Sequence, residues 1–140
     1  MRLHPAILLV VAVPLVLAGC GSTTSIATNT YPDVPNGYAE GVNMFSAEPI
    51  AVWTHGKTIL AVITVGSVSC PPVPTAISAV DASTIALTYI KSPNKPCSAD
   101  LSPTTNEFDI PEGIDTSGDV TVNVHFDFET DLDYTIKVES

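Results

Sequence analysis

The side chains in this 140-residue chain that could do chemistry are three histidines, three cysteines, a set of loop serines and 15 carboxylates. His125 precedes Asp127 by two positions, a spacing that on a strand puts imidazole and carboxylate on one side, while His55 falls in a turn. A zinc or copper site needs three or four converging ligands, and two separated histidines do not supply them, so both read as solvent-facing. Asp127, Glu129, Asp131 and Asp133 crowd one hairpin end, and Asp115 and Asp119 flank a glycine turn. Oxygen-rich loops can hold calcium, but neither run has the D-x-[DN]-x-[DN]-G-x5-E spacing, and strand alternation alone sends these acids into water. Ser67, Ser69 and Ser98 lie in loops with His125 as the obvious base, and Asp100 is placed to cap a turn. No G-x-S-x-G, H-E-x-x-H or phosphate-cradling glycine loop accompanies them. The sequence therefore predicts no catalytic residue, no metal site and no cofactor.

The cysteines say more. Met1–His4 is a short positive start to the apolar run Pro5–Leu17, which ends in Ala18-Gly19-Cys20 and turns polar at once. Charge, length and placement are those of a secretory signal, and the run is shorter than the roughly 20 residues that span a bilayer as helix. Leu17-Ala18-Gly19-Cys20 resembles the lipobox of bacterial lipoproteins. Carried over position by position, Leu17, Ala18 and Gly19 match the residues the signal peptidase recognises, and Cys20 matches the lipidated first residue of the mature chain. More than one acyl chain at about 0.8 kcal/mol per buried methylene gives durable anchoring. The predicted partner is thus membrane lipid through Cys20, and the predicted location the extracytoplasmic face of the cell membrane.

With Cys20 acylated, Cys70 and Cys97 remain as an even pair in an export compartment, and the expectation is a disulfide. No CxxC spacing supports a redox role for them. Over a loop this long, chain entropy puts the stabilisation at about 3 to 4 kcal/mol, comparable with much of a small domain's net stability.

These residues must be carried by something. Residues 20–48 are small, polar and nearly uncharged up to Thr30, and read as the lipidated terminus and a flexible tether that sets the domain roughly 30 Å out. Within it, Tyr31–Tyr38 either continues the linker or lays Tyr31 and Tyr38 against the domain. Residues 49–140 read as one domain. Short β-branched runs separated by Pro, Gly, Asn and Asp replace any 3.6-residue period. Strands are predicted at Ile50–Trp53, Thr58–Val65, Thr75–Val80, Ser83–Ile90, Asn106–Ile110, Val120–Phe128 and Leu132–Val138, with Lys91–Thr105 as loop. Thr58–Val65 is apolar on both faces and suits a central place. Ile85, Leu87 and Tyr89, then Val122, Val124 and Phe126, alternate with polar residues as one-faced strands do. The pattern predicts an all-β, immunoglobulin-like two-sheet sandwich of about seven strands with one disulfide; a small β-barrel is the alternative.

Cys70-Pro71-Pro72-Val73-Pro74, Cys97-Ser98-Ala99-Asp100-Leu101-Ser102-Pro103 and Ile110-Pro111-Glu112-Gly113 follow one another in an order that resembles a group of small secreted or lipid-anchored actinobacterial proteins without an assigned activity. Ser98 stands where that group's pattern would have Thr. The resemblance spans about residues 50 to 138 and implies a compact β domain, with Cys70 and Cys97 matching the group's cysteine pair and Pro103, Pro111 and Gly113 its turn residues. It implies no reaction and no ligand.

The formal charge of -10 and a pI near 4.3 exclude polyanion binding through basic clusters, so no nucleic acid is expected. The leading function is a membrane-anchored envelope lipoprotein acting as a binding or interaction module, not an enzyme. Its partner is an envelope or extracellular protein, and no tightly bound small molecule is expected. An aromatic patch drawing on Trp53, Tyr38 or Phe45 would mark its surface, although Trp53 taken alone reads as core. The alternatives are a structural or accessory lipoprotein with no ligand site, a weak calcium-binding module and, last, an enzyme.

Overall fold

The structure, a computed structural model, describes residues 24–38 and 42–140. The expected signal segment 1–19 and the expected lipidation site Cys20 lie outside the described residues. Eight strands follow in chain order: β1 (Asn29–Pro32), β2 (Ile50–Thr54), β3 (Ile59–Gly66), β4 (Val73–Asp81), β5 (Thr84–Ile90), β6 (Ser102–Asp109), β7 (Thr121–Asp127) and β8 (Leu132–Glu139). Among the described residues there is no helix.

The strands hydrogen-bond in the continuous order β1-β6-β3-β2-β8-β7-β5-β4. Most neighbours are antiparallel, but β5 runs parallel to β7 over seven residue pairs, from Thr84↔Thr121 to Ile90↔Asp127. β2 meets β8 in parallel at only two pairs, Ala51↔Val138 and Val52↔Glu139. β8 is therefore the joint between a β1-β6-β3-β2 half and a β7-β5-β4 half. The sheet curls far enough that the Ile26 N–H, just ahead of edge strand β1, donates to the Pro74 carbonyl of the opposite edge strand β4 at 3.1 Å. The chain is all-β, as its alternation predicts, with one curled eight-stranded sheet.

The curl lets both halves share one core. Trp53, Leu60, Val62 and Phe108 from one side meet Ile85, Leu87, Tyr89, Val122, Val124 and Phe126 from the other. At about 25 cal/mol per Å² of apolar surface removed from water, these side chains are the main drive to fold. Tyr89 stacks on Phe126 with ring centroids 5.2 Å apart, and Tyr134 meets Phe126 edge-on at 6.0 Å. β3 lies between β2 and β6 and is buried from Leu60 to Thr64, as a strand apolar on both faces requires. Cys70 and Cys97 are bonded, with Cα atoms 5.4 Å apart, tying the approach to β4 to the loop before β6.

The tether expected over 20–48 is not a coil throughout. Asn29–Pro32 pairs antiparallel with β6, from Asn29↔Glu107 to Pro32↔Thr104. Beyond Asp33, Val34 and Tyr38 pack with Ile50 on a second cluster, Val52, Ala61 and Ile63, on the outer face of the sheet. The segment is held by backbone pairing and by covering apolar surface that the strands leave on their convex side. β6 likewise begins at Ser102, inside the predicted loop, where Thr104 and Thr105 are buried although polar, next to a buried Asn106, and Thr105 and Asn106 are held by side-chain hydrogen bonds. The Tyr89 hydroxyl donates to Asn106 Oδ1 at 3.1 Å, Asn106 Nδ2 donates to Thr30 Oγ1 at 2.8 Å, and Thr105 Oγ1 donates to the Asp33 carbonyl at 2.7 Å. One buried hydroxyl, Thr64 Oγ1, has no hydrogen-bond partner among the described residues.

Candidate functional site

Where the N-terminal segment crosses the outer face it leaves a cleft of about 580 Å³. One wall is β1, whose Asn29 and Tyr31 share a face because they are two residues apart on a strand. The register puts Glu107 of β6 directly opposite Asn29. Both carboxylate oxygens of Glu107 are engaged: Tyr31 Oη donates to Oε1 at 3.2 Å and Asn29 Nδ2 to Oε2 at 3.1 Å. Burial, then the charge and hydrogen bond of Glu107, push the Tyr31 phenol above its usual pKa. This carboxylate thus orients a phenol and an amide toward the opening.

The second wall is the turn Pro35–Tyr38. The Tyr38 N–H donates to the Pro35 carbonyl at 3.1 Å, and Gly37 sits at φ 96°, the left-handed geometry that the third position of such a turn demands. The chain enters this turn through Asp33, a non-glycine residue at φ 88°, held by its N–H to the Pro103 carbonyl at 2.9 Å. The third side is the β2–β3 connection, where Thr54 and His55 line the cleft. His55, Gly56 and Lys57 are successively left-handed, at φ 51°, 67° and 66°. The glycine expected in this turn is there, and two side-chain-bearing residues share its conformation at a cost of order 1 kcal/mol each. Thr58 Oγ1 donates to the His55 carbonyl at 2.9 Å and braces the turn.

No protein-family model, no curated protein and no solved structure matches the chain.

Of the aromatic residues expected in one patch, only Tyr38 borders the cleft with its side chain free of the main core. Trp53 touches the cleft floor but is 6% exposed and belongs to the main core. Phe45 is 90% exposed and lines neither this cleft nor a second hollow of about 410 Å³ at the β2–β8 junction, whose lining among the described residues includes Val42, Ile50, Ile63 and Lys137 and no aromatic ring. Tyr31 and Glu107 complete the cleft. Tyr31 was one of two tyrosines the sequence could place against the domain, whereas a single Glu within a polar strand carries no signal.

The other candidates are dispersed. His125 Nδ1 bonds Asp133 across the β7–β8 hairpin at 2.8 Å, and not the Asp127 at i+2 that the sequence suggests. That hydrogen bond, together with the charges of Asp133, Asp131 and Asp127, holds the imidazolium above its ordinary pKa. Glu129 turns to Lys91 at 2.8 Å, Asp119 to Lys137 at 3.4 Å, and Asp115 accepts from the N–H and hydroxyl of Ser117. Among the described residues no three His, Cys, Asp or Glu side chains group as metal ligands.

Ser67, Ser69 and Ser98 do come together beside the disulfide, with Oγ separations of 2.9 to 3.2 Å. Their carboxylate is Asp100, which accepts from Ser98 Oγ, from Ser102 Oγ at 2.8 Å and from the Val68 N–H at 3.2 Å. The two serine hydroxyls lower its pKa to about 2. Together these bonds clamp the loop after β3 to the loop before β6.

Proposed function

We propose that the chain is a membrane-anchored extracytoplasmic lipoprotein, tethered through an acylated Cys20, whose domain acts as a binding module of the cell envelope. The observation that carries this reading is the cleft beside β1: a preformed concavity in which Glu107 fixes Tyr31 and Asn29, bounded by two left-handed turns. A few oriented polar groups in a rigid concavity is how small binding sites are generally built. The lipobox-like Leu17-Ala18-Gly19-Cys20 supports the location. In this reading the two halves of the sheet act as the layers of an immunoglobulin-like sandwich joined through β8, supported by the core they share and by the Tyr89 to Asn106 bond across it.

The test is retention. The chain from residue 20 onward carrying Cys20→Ser, which has neither an acyl anchor nor the apolar run Pro5–Leu17, is mixed with washed envelope material of the producing cell. A binding module sediments with that material in a saturable way, and Tyr38→Ala reduces the bound fraction. If the Cys20→Ser chain stays wholly in the supernatant, the domain has no envelope ligand and the reading fails.

A further inference from the structure

We infer that the cleft beside β1 takes a short stretch of neutral glycan. This deepens the binding-module reading and rests on it. A sugar ring offers a flat C–H face and a rim of hydroxyls that each donate and accept. Recognition therefore calls for an aromatic wall and for planar polar side chains held in fixed orientation. Tyr31 and Tyr38 supply the wall, both half-buried and both tied down, one by Glu107 and the other by its turn and the outer apolar cluster. Asn29 is oriented by Glu107, which leaves its amide oxygen and second N–H free to face a ligand, and Asn36 stands exposed at the turn.

Competing ligand classes fit less well. Among the described residues no Lys or Arg lines the cleft, and Glu107 contributes negative charge to its wall, so a phosphate or carboxylate ligand would be repelled. Its side chains are mostly polar, so an acyl chain would desolvate Asn29, Asn36 and Thr54 without replacing their hydrogen bonds. A quaternary ammonium needs ring faces and a carboxylate directed at it; Glu107 has each oxygen bonded to a neighbour and the Trp53 ring lies in the core. The volume of about 580 Å³ falls within the roughly 300–1,000 Å³ of small-ligand sites.

The experiment is an amide chemical-shift titration of the same chain from residue 20 onward carrying Cys20→Ser with cellotetraose, chitotetraose, maltotetraose and mannotetraose, with choline and inorganic phosphate as the other probes. At least one tetrasaccharide should shift amides of residues 29–38, 54–55 and 107 saturably, with a Kd between roughly 0.1 and 5 mM, weak enough to match an open cleft. Tyr38→Ala should weaken it about tenfold, the scale of one stacking contact. Because Tyr38 also packs on the outer cluster, Asn36→Ala serves as the second variant: the residue is exposed and belongs to neither apolar cluster, so its loss should weaken binding about threefold at an unchanged melting temperature. Absence of saturation by every tetrasaccharide up to about 20 mM overturns the inference, as does saturation that both variants leave unchanged. Saturation by choline or phosphate alone overturns the glycan assignment. If envelope retention still depends on Tyr38 in these cases, the binding-module reading survives; if retention is also absent, both fall.

Discussion

Tyr89→Phe removes one oxygen from the centre of the molecule and should weaken both the core and the cleft wall. Tyr89 is 0% exposed and its hydroxyl donates to Asn106 Oδ1, itself in a residue 2% exposed. Burial pushes the Tyr89 phenol above its usual pKa, so this oxygen is a neutral donor at neutral pH. The ring stays, and with it the stacking on Phe126, so packing changes little. What remains is a buried amide oxygen without its donor, a loss of about 1 to 3 kcal/mol. With a urea slope of about 1 to 1.5 kcal/mol/M for a domain of this size, the midpoint should fall by about 0.7 to 3 M at constant slope, followed by circular dichroism. Asn106 Nδ2 also holds Thr30 of β1, so amides of residues 29–32 should lose exchange protection before those of β3. In a double-mutant cycle, Asn106→Leu added to Tyr89→Phe should cost less than the two single changes summed. A loss below about 0.5 kcal/mol, or strictly additive changes, would refute the claim that this bond links the core to β1.

Thr64→Val keeps the shape of a side chain whose buried hydroxyl has no partner, so it should raise stability by about 1 kcal/mol; a lower unfolding midpoint would contradict this. Replacing both Cys70 and Cys97 by Ser should cost about 3 to 4 kcal/mol, roughly 15 °C in melting temperature, and calorimetry showing under 1 kcal/mol would count against the cross-link as a stabiliser. The raised His125 pKa means that its pairing with Asp133 stabilises fully below the ordinary imidazole range and fades as pH rises through the raised folded value. Asp133→Asn should lower the His125 midpoint in a proton NMR titration and flatten stability across that window, and an unmoved midpoint would sink the assignment.

The residue pattern carried the inner face of the fold well. Ile85, Leu87 and Tyr89 of β5 and Val122, Val124 and Phe126 of β7 alternate as read, and all are buried. It failed where burial is bought with hydrogen bonds. Thr104 and Thr105 look like loop residues, yet both are buried in β6, Thr105 with its hydroxyl satisfied by the Asp33 carbonyl, and Asn106, where the predicted strand starts, is held there by Tyr89 and Thr30. β1 has the same cause: Asn29-Thr30-Tyr31-Pro32 has no apolar period, and its strand form is set by the edge of β6. Parallel pairing of β5 with β7 joins segments far apart in the chain, which no local spacing encodes. His125 shows the limit for sites. Its partner was sought at i+2, and the hairpin register supplied Asp133 instead. The cleft was half visible, through Tyr38 and the undecided Tyr31, but Glu107 acquires meaning only once β1 lies against β6.

The central proposal places this cleft on a lipid-held chain, and intact-mass analysis of the native exported product tests it most directly. The expected species begins at Cys20, carries a thioether-linked diacylglycerol and an N-acyl chain, and is two hydrogens lighter than its dithiol form through the Cys70–Cys97 bond. A product without added lipid, or one that begins at any other residue, would contradict it.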